Sequence, residues 1–122
     1  MVETAMSDFS IDSTSVNHIQ IIRTKGYLDK VAGDQVKAFC AEKLGQNMNR
    51  FVFNLAGSPV INSSGLSKIL GILEEILDKN DGKVAVCGLS VLAKTALRTT
   101  GLLQLVSECE SEDAGVALFS GK

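Results

Sequence analysis

The stretch Ile61-Asn62-Ser63-Ser64-Gly65-Leu66 sets two hydroxyls and an amide side chain ahead of a run of helix-spaced aliphatics. The first backbone N–H groups of a helix lack intrahelical acceptors, so side-chain oxygens and anions are favoured there. A phosphate placed there would be accepted by its own helix while changing the charge shown to a partner. Ser64 reads as a cap rather than a second acceptor, and Asp29 as the cap of an earlier helix. His18, on a strand near the start, reads as exposed or hydrogen-bonded rather than as a base. Cys40, Cys87 and Cys109 are odd in number, widely spaced and part of no C-x-x-C pattern. With one histidine in the chain they make no metal set, and read as reduced, mostly buried thiols. No Ser, Cys or Lys lies in a nucleophile motif, and neither G-x-G-x-x-G nor a P-loop occurs. No cofactor, metal or catalytic residue is expected.

The elements that must position these residues follow from periodicity. Residues 1–8 read as a disordered tail. Phe9 to Thr14 alternates as a half-buried strand, Ser15-Val16-Asn17 allows a turn, and His18 to Lys25 supplies an antiparallel partner. A helix over about 31–47 follows, with Val36, Phe39, Cys40 and Leu44 on one face and Gly33 weakening its first turn. Arg50 to Leu55 is a short central strand, and Pro59 lies in the loop after it, where a missing N–H does no harm. The second helix covers about 63–79, with Leu66, Ile69, Leu70, Leu73, Ile76 and Leu77 as its apolar stripe. Lys83 to Gly88 is a strand buried on both faces. Ser90 caps a helix over about 91–100, with Leu92, Ala96 and Leu97 inward, and Gly101 ends it. Leu102 to Val106 is expected as an edge strand, and an acidic lead through Glu112 and Asp113 opens a short last helix. Two strands followed by alternating helices and strands predict an α/β fold. The sheet is mixed and mainly parallel, of 4–5 strands, with right-handed crossovers and about four helices.

Composition bounds the function. A chain of 122 residues is one domain's worth, able to bury about 65–70% of its surface without staples. Apolar residues are 45% of the chain and aromatics only 5%, so Val, Ile, Leu and Ala must build the core. A net charge of −2 with scattered Lys and Arg lacks the basic face that nucleic acid or an anionic membrane requires. No run reaches the ~18–20 apolar residues of a membrane helix, and the N-terminus has no secretory pattern. A cytoplasmic protein, without membrane insertion or direct nucleic-acid binding, is expected.

Ile61-Asn62-Ser63-Ser64-Gly65-Leu66, with Ile69-Leu70-Gly71 after it, resembles the signature of bacterial anti-sigma factor antagonists, the STAS-domain family. Gly26-Tyr27-Leu28-Asp29 resembles the family's Gly-x-Leu-Asp corner. Val84 to Ser90 and Thr100-Gly101-Leu102 resemble its C-terminal strand, loop and helix end. The likeness runs from about residue 9 to 118 in the expected order, and implies a STAS-like single domain over 9–122. It further implies a serine switch. The unmodified antagonist binds a serine protein kinase that is also the anti-sigma factor, releasing a sigma factor. Phosphorylation ends the association and a phosphatase resets it. On spacing alone Ser63 reads as an ordinary first-turn serine; the resemblance makes it the acceptor. Asp29, Asn62, Ser64 and Gly65 then belong to the partner-binding surface. Asn62 departs from the Asp usual in the family, keeping the cap but not the charge. The alternatives are a constitutive STAS scaffold or subunit of a signalling or transport assembly, and a small nucleotide binder or enzyme.

Overall fold

The computed structural model describes residues 9–120. The tail expected over residues 1–8 lies outside them. Five strands form one sheet in the order β1-β2-β3-β4-β5. They are β1 (Ser10–Val16), β2 (Ile19–Lys25), β3 (Arg50–Gly57), β4 (Lys83–Cys87) and β5 (Ser107–Glu108). β1 pairs antiparallel with β2, and every later pairing is parallel. The helices are α1 (Lys30–Leu44), α2 (Ser63–Leu73), α3 (Val91–Thr99) and α4 (Glu112–Ser120). The mixed, mainly parallel α/β fold is therefore the one the hydrophobic pattern predicts.

The sheet divides two cores. On one face Ile22, Phe51, Phe53, Leu55, Val84 and Val86 meet Val36 and Cys40 of α1, Ile72 and Leu73 of α2, and Leu97 of α3. On the other, Ile19, Ile21, Val52 and Ala85 are covered by Val116 and Phe119 of α4. α4 approaches closely because residue 115 is glycine; a β-carbon there would stand 3.0 Å from both Val52 methyls. Burial of each large aliphatic contributes about 1.5–3 kcal/mol, so the three-helix face carries most of the stabilisation.

Several expectations are corrected. β1 extends to Val16, and the hairpin turn is Asn17-His18, at φ 53° and 65°. Positive φ at both central residues gives a two-residue turn the twist that matches the strands it joins. His18 is thus exposed in a turn and not on a strand. α1 starts at Lys30 and stops at Leu44, three residues short of the expected end. The helical path after β3 does reach Lys79, but Glu74–Lys79 widens into π geometry. Leu70 is 40% exposed while Ile72 is buried, so the inward stripe is rotated from the one expected. In α3, Leu92 is 66% exposed and Ala93 takes its place in the core. Leu102–Leu105 is a 3₁₀ turn, launched by Gly101 at φ 82°. The edge strand is only Ser107–Glu108, because burying Leu102 in the core draws the chain out of line with β4.

Candidate functional site

The candidate residues collect where two strand-to-helix loops are zipped together beyond the carboxyl ends of β2 and β3. The Gly26 N–H donates to Gly57 O at 2.8 Å, Leu28 N–H to Val60 O at 3.0 Å, and Asn62 N–H to Leu28 O at 3.1 Å. Leu28 and Ile61 form a parallel bridge outside the main sheet. Beneath the loops the Thr24 and Ser58 hydroxyls share a buried hydrogen bond of 2.7 Å. Each polar group satisfied in this way spares a desolvation penalty of about 1–3 kcal/mol.

The zipper sets the starts of α1 and α2 side by side. Asp29, in extended conformation, accepts from the Ala32 N–H at 2.9 Å and caps α1. Asn62, also extended, accepts from the Gly65 N–H at 2.8 Å and caps α2. Ser64 is therefore not the cap; it lies exposed in the first turn of a helix that Asn62 already closes. Ser63 is the first residue of α2, also exposed. Gly65 is buried, with no room for a side chain, since a β-carbon would stand 2.9 Å from the Leu28 carbonyl carbon. Glycine is what lets the helix begin directly against that backbone.

A second close approach holds the two helices together. Gly33 of α1 faces the Lys68 side chain of α2, where a β-carbon would fall 2.5 Å from Lys68 Cβ. The residue that weakens the first turn of α1 by propensity is the one that admits its neighbour. Lys68 Nζ then reaches Asp34 at 2.8 Å, and its hydrogen bond holds the Asp34 carboxyl below the usual carboxylate range. The start of α3 joins the same rim: Ser90 Oγ donates to Pro59 O at 2.7 Å and accepts from the Ala93 N–H at 3.0 Å.

The geometry offers an exposed hydroxyl at the positive end of a helix dipole. Among the described residues no carboxylate or imidazole hydrogen-bonds that hydroxyl; Asp29 is committed to Ala32, and His18 lies beyond the opposite end of β2. Nor do three of His, Cys, Asp and Glu converge there as metal ligands would. Cys40 and Cys87 are buried and Cys109 half-buried, all as free thiols. Sequence reasoning placed the caps of α1 and α3 but missed Leu28, Ser58, Gly33 and Lys68. Only the glycines at 33 and 65 carried a signal, since a glycine in a first turn marks a close approach.

This arrangement of five strands, four helices and twin helix starts is that of a STAS domain. A family model for the STAS domain matches residues 10–115, and the chain belongs to that family. Solved structures share the fold. A candidate anti-sigma factor antagonist from Thermotoga maritima superposes with a TM-score of 0.80 at 18% identity, over 88% of this chain and 92% of the other. The unphosphorylated anti-sigma factor antagonist SpoIIAA, known from Bacillus, gives 0.77 at 21% identity, over 93% and 97%. A sulfate transporter family protein from Wolinella succinogenes gives 0.73 at 17% identity, over 86% and 87%. Among the described residues of this chain no helix is long and apolar enough to cross a membrane.

Proposed function

We propose that this chain is an anti-sigma factor antagonist, a cytoplasmic binding module without catalytic activity whose state is set at Ser63. Unmodified, its rim of helix starts docks a serine protein kinase that doubles as the anti-sigma factor, and a sigma factor is released. The observation that carries this reading is the exposure of Ser63 at the first position of α2, beside the Asp29 corner and with Asn62 turned inward as the cap.

Phosphorylation adds about −1.5 to −2 charge and three acceptor oxygens. Within the chain, the α2 dipole offsets roughly 0.3–1 kcal/mol of that. Against a docked partner the same dianion must shed water, at a cost of several kcal/mol where no cation meets it. Each 1.4 kcal/mol is tenfold in affinity, so release requires no refolding. Asp29, Asn62, Ser64 and Gly65 shape the surface, and a serine phosphatase restores it.

The test is incubation of the chain with ATP and the kinase captured by the unmodified protein. Mass spectrometry is expected to find phosphate on Ser63 and none on Ser63→Ala. Ser63→Asp is expected to bind the kinase at least tenfold more weakly, and unchanged affinity counts against the switch. A second reading, a constitutive scaffold or assembly subunit, is favoured by Asn62, which lacks the carboxylate usual in the family. It expects partners to co-purify equally with the parent, Ser63→Ala and Ser63→Asp.

A further inference from the structure

Two thiols stand together on the sheet face that the candidate site does not use. The parallel register sets Ala85 opposite Ser107 and Val86 opposite Glu108, so the next pair in line is Cys87 with Cys109. The Cys109 N–H donates to Val86 O at 2.8 Å, which fixes Cys109 beside the end of β4. Glu108 points to the α3 side, where it meets Lys94 Nζ at 2.9 Å. Alternation then sends Cys109 to the α4 side, where it packs against the core of Ile19, Ile21, Val52 and Ala85. Cys87, two residues beyond Ala85, projects to that same face. Cys109 is half-buried and reachable from solvent, whereas Cys87 is covered.

We propose that Cys87 and Cys109 are a peroxide-oxidisable pair that closes an intramolecular disulfide between β4 and the segment leading into α4. Neighbouring strands run about 4.7–4.9 Å apart, inside the range of Cα separations a disulfide spans, about 4.4–6.8 Å. The β-carbons must draw slightly closer than a regular ladder holds them. The end of a two-residue strand allows that shift where the middle of a sheet would not. A cross-link formed this way carries strain, and strained, accessible disulfides are the readily reduced, regulatory kind.

The chemistry proceeds in two balanced steps. The Cys109 sulfur attacks one oxygen of hydrogen peroxide, the S–O bond forms as the O–O bond breaks, and the departing hydroxide takes the thiol proton to leave water. Cys109 is then a sulfenic acid. The Cys87 sulfur attacks it, the S–S bond forms as the S–O bond breaks, and hydroxide leaves with the Cys87 proton as a second water. Two thiols have lost two electrons and one peroxide has gained them. Burial, with Glu112 beside Cys87 and Glu108 beside Cys109, pushes both thiols up. The first step is therefore slow at neutral pH, since the thiolate is the nucleophile. Cys40, buried on the opposite face and pushed up to about 12, is an internal control.

The full chain is treated with graded hydrogen peroxide, denatured, alkylated and mapped by mass spectrometry. The expected product is a monomer lighter by two hydrogens, with the Cys87 and Cys109 peptides joined and Cys40 still alkylated. Its rate of formation is independent of protein concentration, and dithiothreitol reverses it. In Cys109→Ser, Cys87 is expected to stay fully alkylatable. In Cys87→Ser, the Cys109 sulfenic acid is expected to persist long enough for capture by dimedone. Cys109 carrying two added oxygens while Cys87 remains free would overturn the pairing, as would a Cys109-linked dimer as the main product. The inference is independent of any role for Ser63.

Discussion

Gly65→Ala tests the junction on which the candidate site is built. The added β-carbon would press on the Leu28 carbonyl oxygen and stand 2.9 Å from its carbon, where ordinary contact is 3.4–4 Å. Those are backbone atoms, held by hydrogen bonds of 3.0 Å to Val60 and 3.1 Å from Asn62, so no side chain can rotate out of the way. The start of α2 must withdraw by roughly an ångström, an overpacking strain of about 1–3 kcal/mol. Withdrawal also loosens loop hydrogen bonds worth about 1 kcal/mol each. Alanine's helix preference returns at most about 1 kcal/mol. The expected net loss is about 2–3 kcal/mol, or roughly 5–12 °C in Tm for a domain of this size. Gly71→Ala, in the same helix, meets nothing within 4 Å and is expected to gain about 0.5–1 kcal/mol. Urea unfolding followed by circular dichroism measures both variants against the parent. If Gly65→Ala proves as stable as Gly71→Ala, the close approach to Leu28 is not what selects glycine, and the reasoning fails.

Asn62→Ala removes the acceptor for the Gly65 N–H and is expected to cost about 1 kcal/mol. Asn62→Asp is expected to keep the cap and add about 0.3–1 kcal/mol from the dipole at neutral pH; equal denaturation midpoints for all three would contradict the cap. Arg23 holds the Glu112 carboxyl below its usual range, chiefly through hydrogen bonds of 2.7 and 2.8 Å, with Asn54 adding another of 2.7 Å. A depressed pKa stabilises above the unfolded value of about 4.3 and loses that contribution as pH falls through the folded value. Glu112→Gln is therefore expected to flatten the acid limb of the stability curve, and a parallel curve for the variant would refute the pairing. Ser58→Ala strands the buried Thr24 hydroxyl and is expected to cost about 1–3 kcal/mol, part of which Thr24→Val on the same background should restore. Additive losses in that double variant would show that the two hydroxyls do not act together.

The order of elements and the mixed, mainly parallel sheet were legible in the chain, because an alternation of two and a spacing of three to four are distinct patterns. Two caps were legible on the same local grounds, Asp29 and Ser90, each an oxygen one position before a helix; at α2 the cap expected at Ser64 is Asn62, two residues earlier. Finer rotations were not. Leu70 and Leu92 carry the hydropathy of core residues yet face outward, because which part of a helix meets the sheet depends on where its loops attach. Leu102 to Val106 has strand-like composition, but its register is set by the burial of Leu102 and the left-handed turn at Gly101.

By itself the sequence determined what most segments are: strand or helix, inward or outward on average, and a serine at the head of an amphipathic helix. Those properties depend on neighbours a few residues away. Tertiary structure alone decided what lies beside what. It brought the Leu28 carbonyl against Gly65, Lys68 into the notch at Gly33, Glu112 under Arg23, and Cys109 next to Cys87. The pairings at Leu28, Gly33 and Arg23 join residues more than thirty positions apart, and the two free cysteines are set side by side by the register of β5 on β4. Each is fixed by a close approach of two elements, by an ion pair between distant elements or by strand register, which no local pattern of residue types encodes.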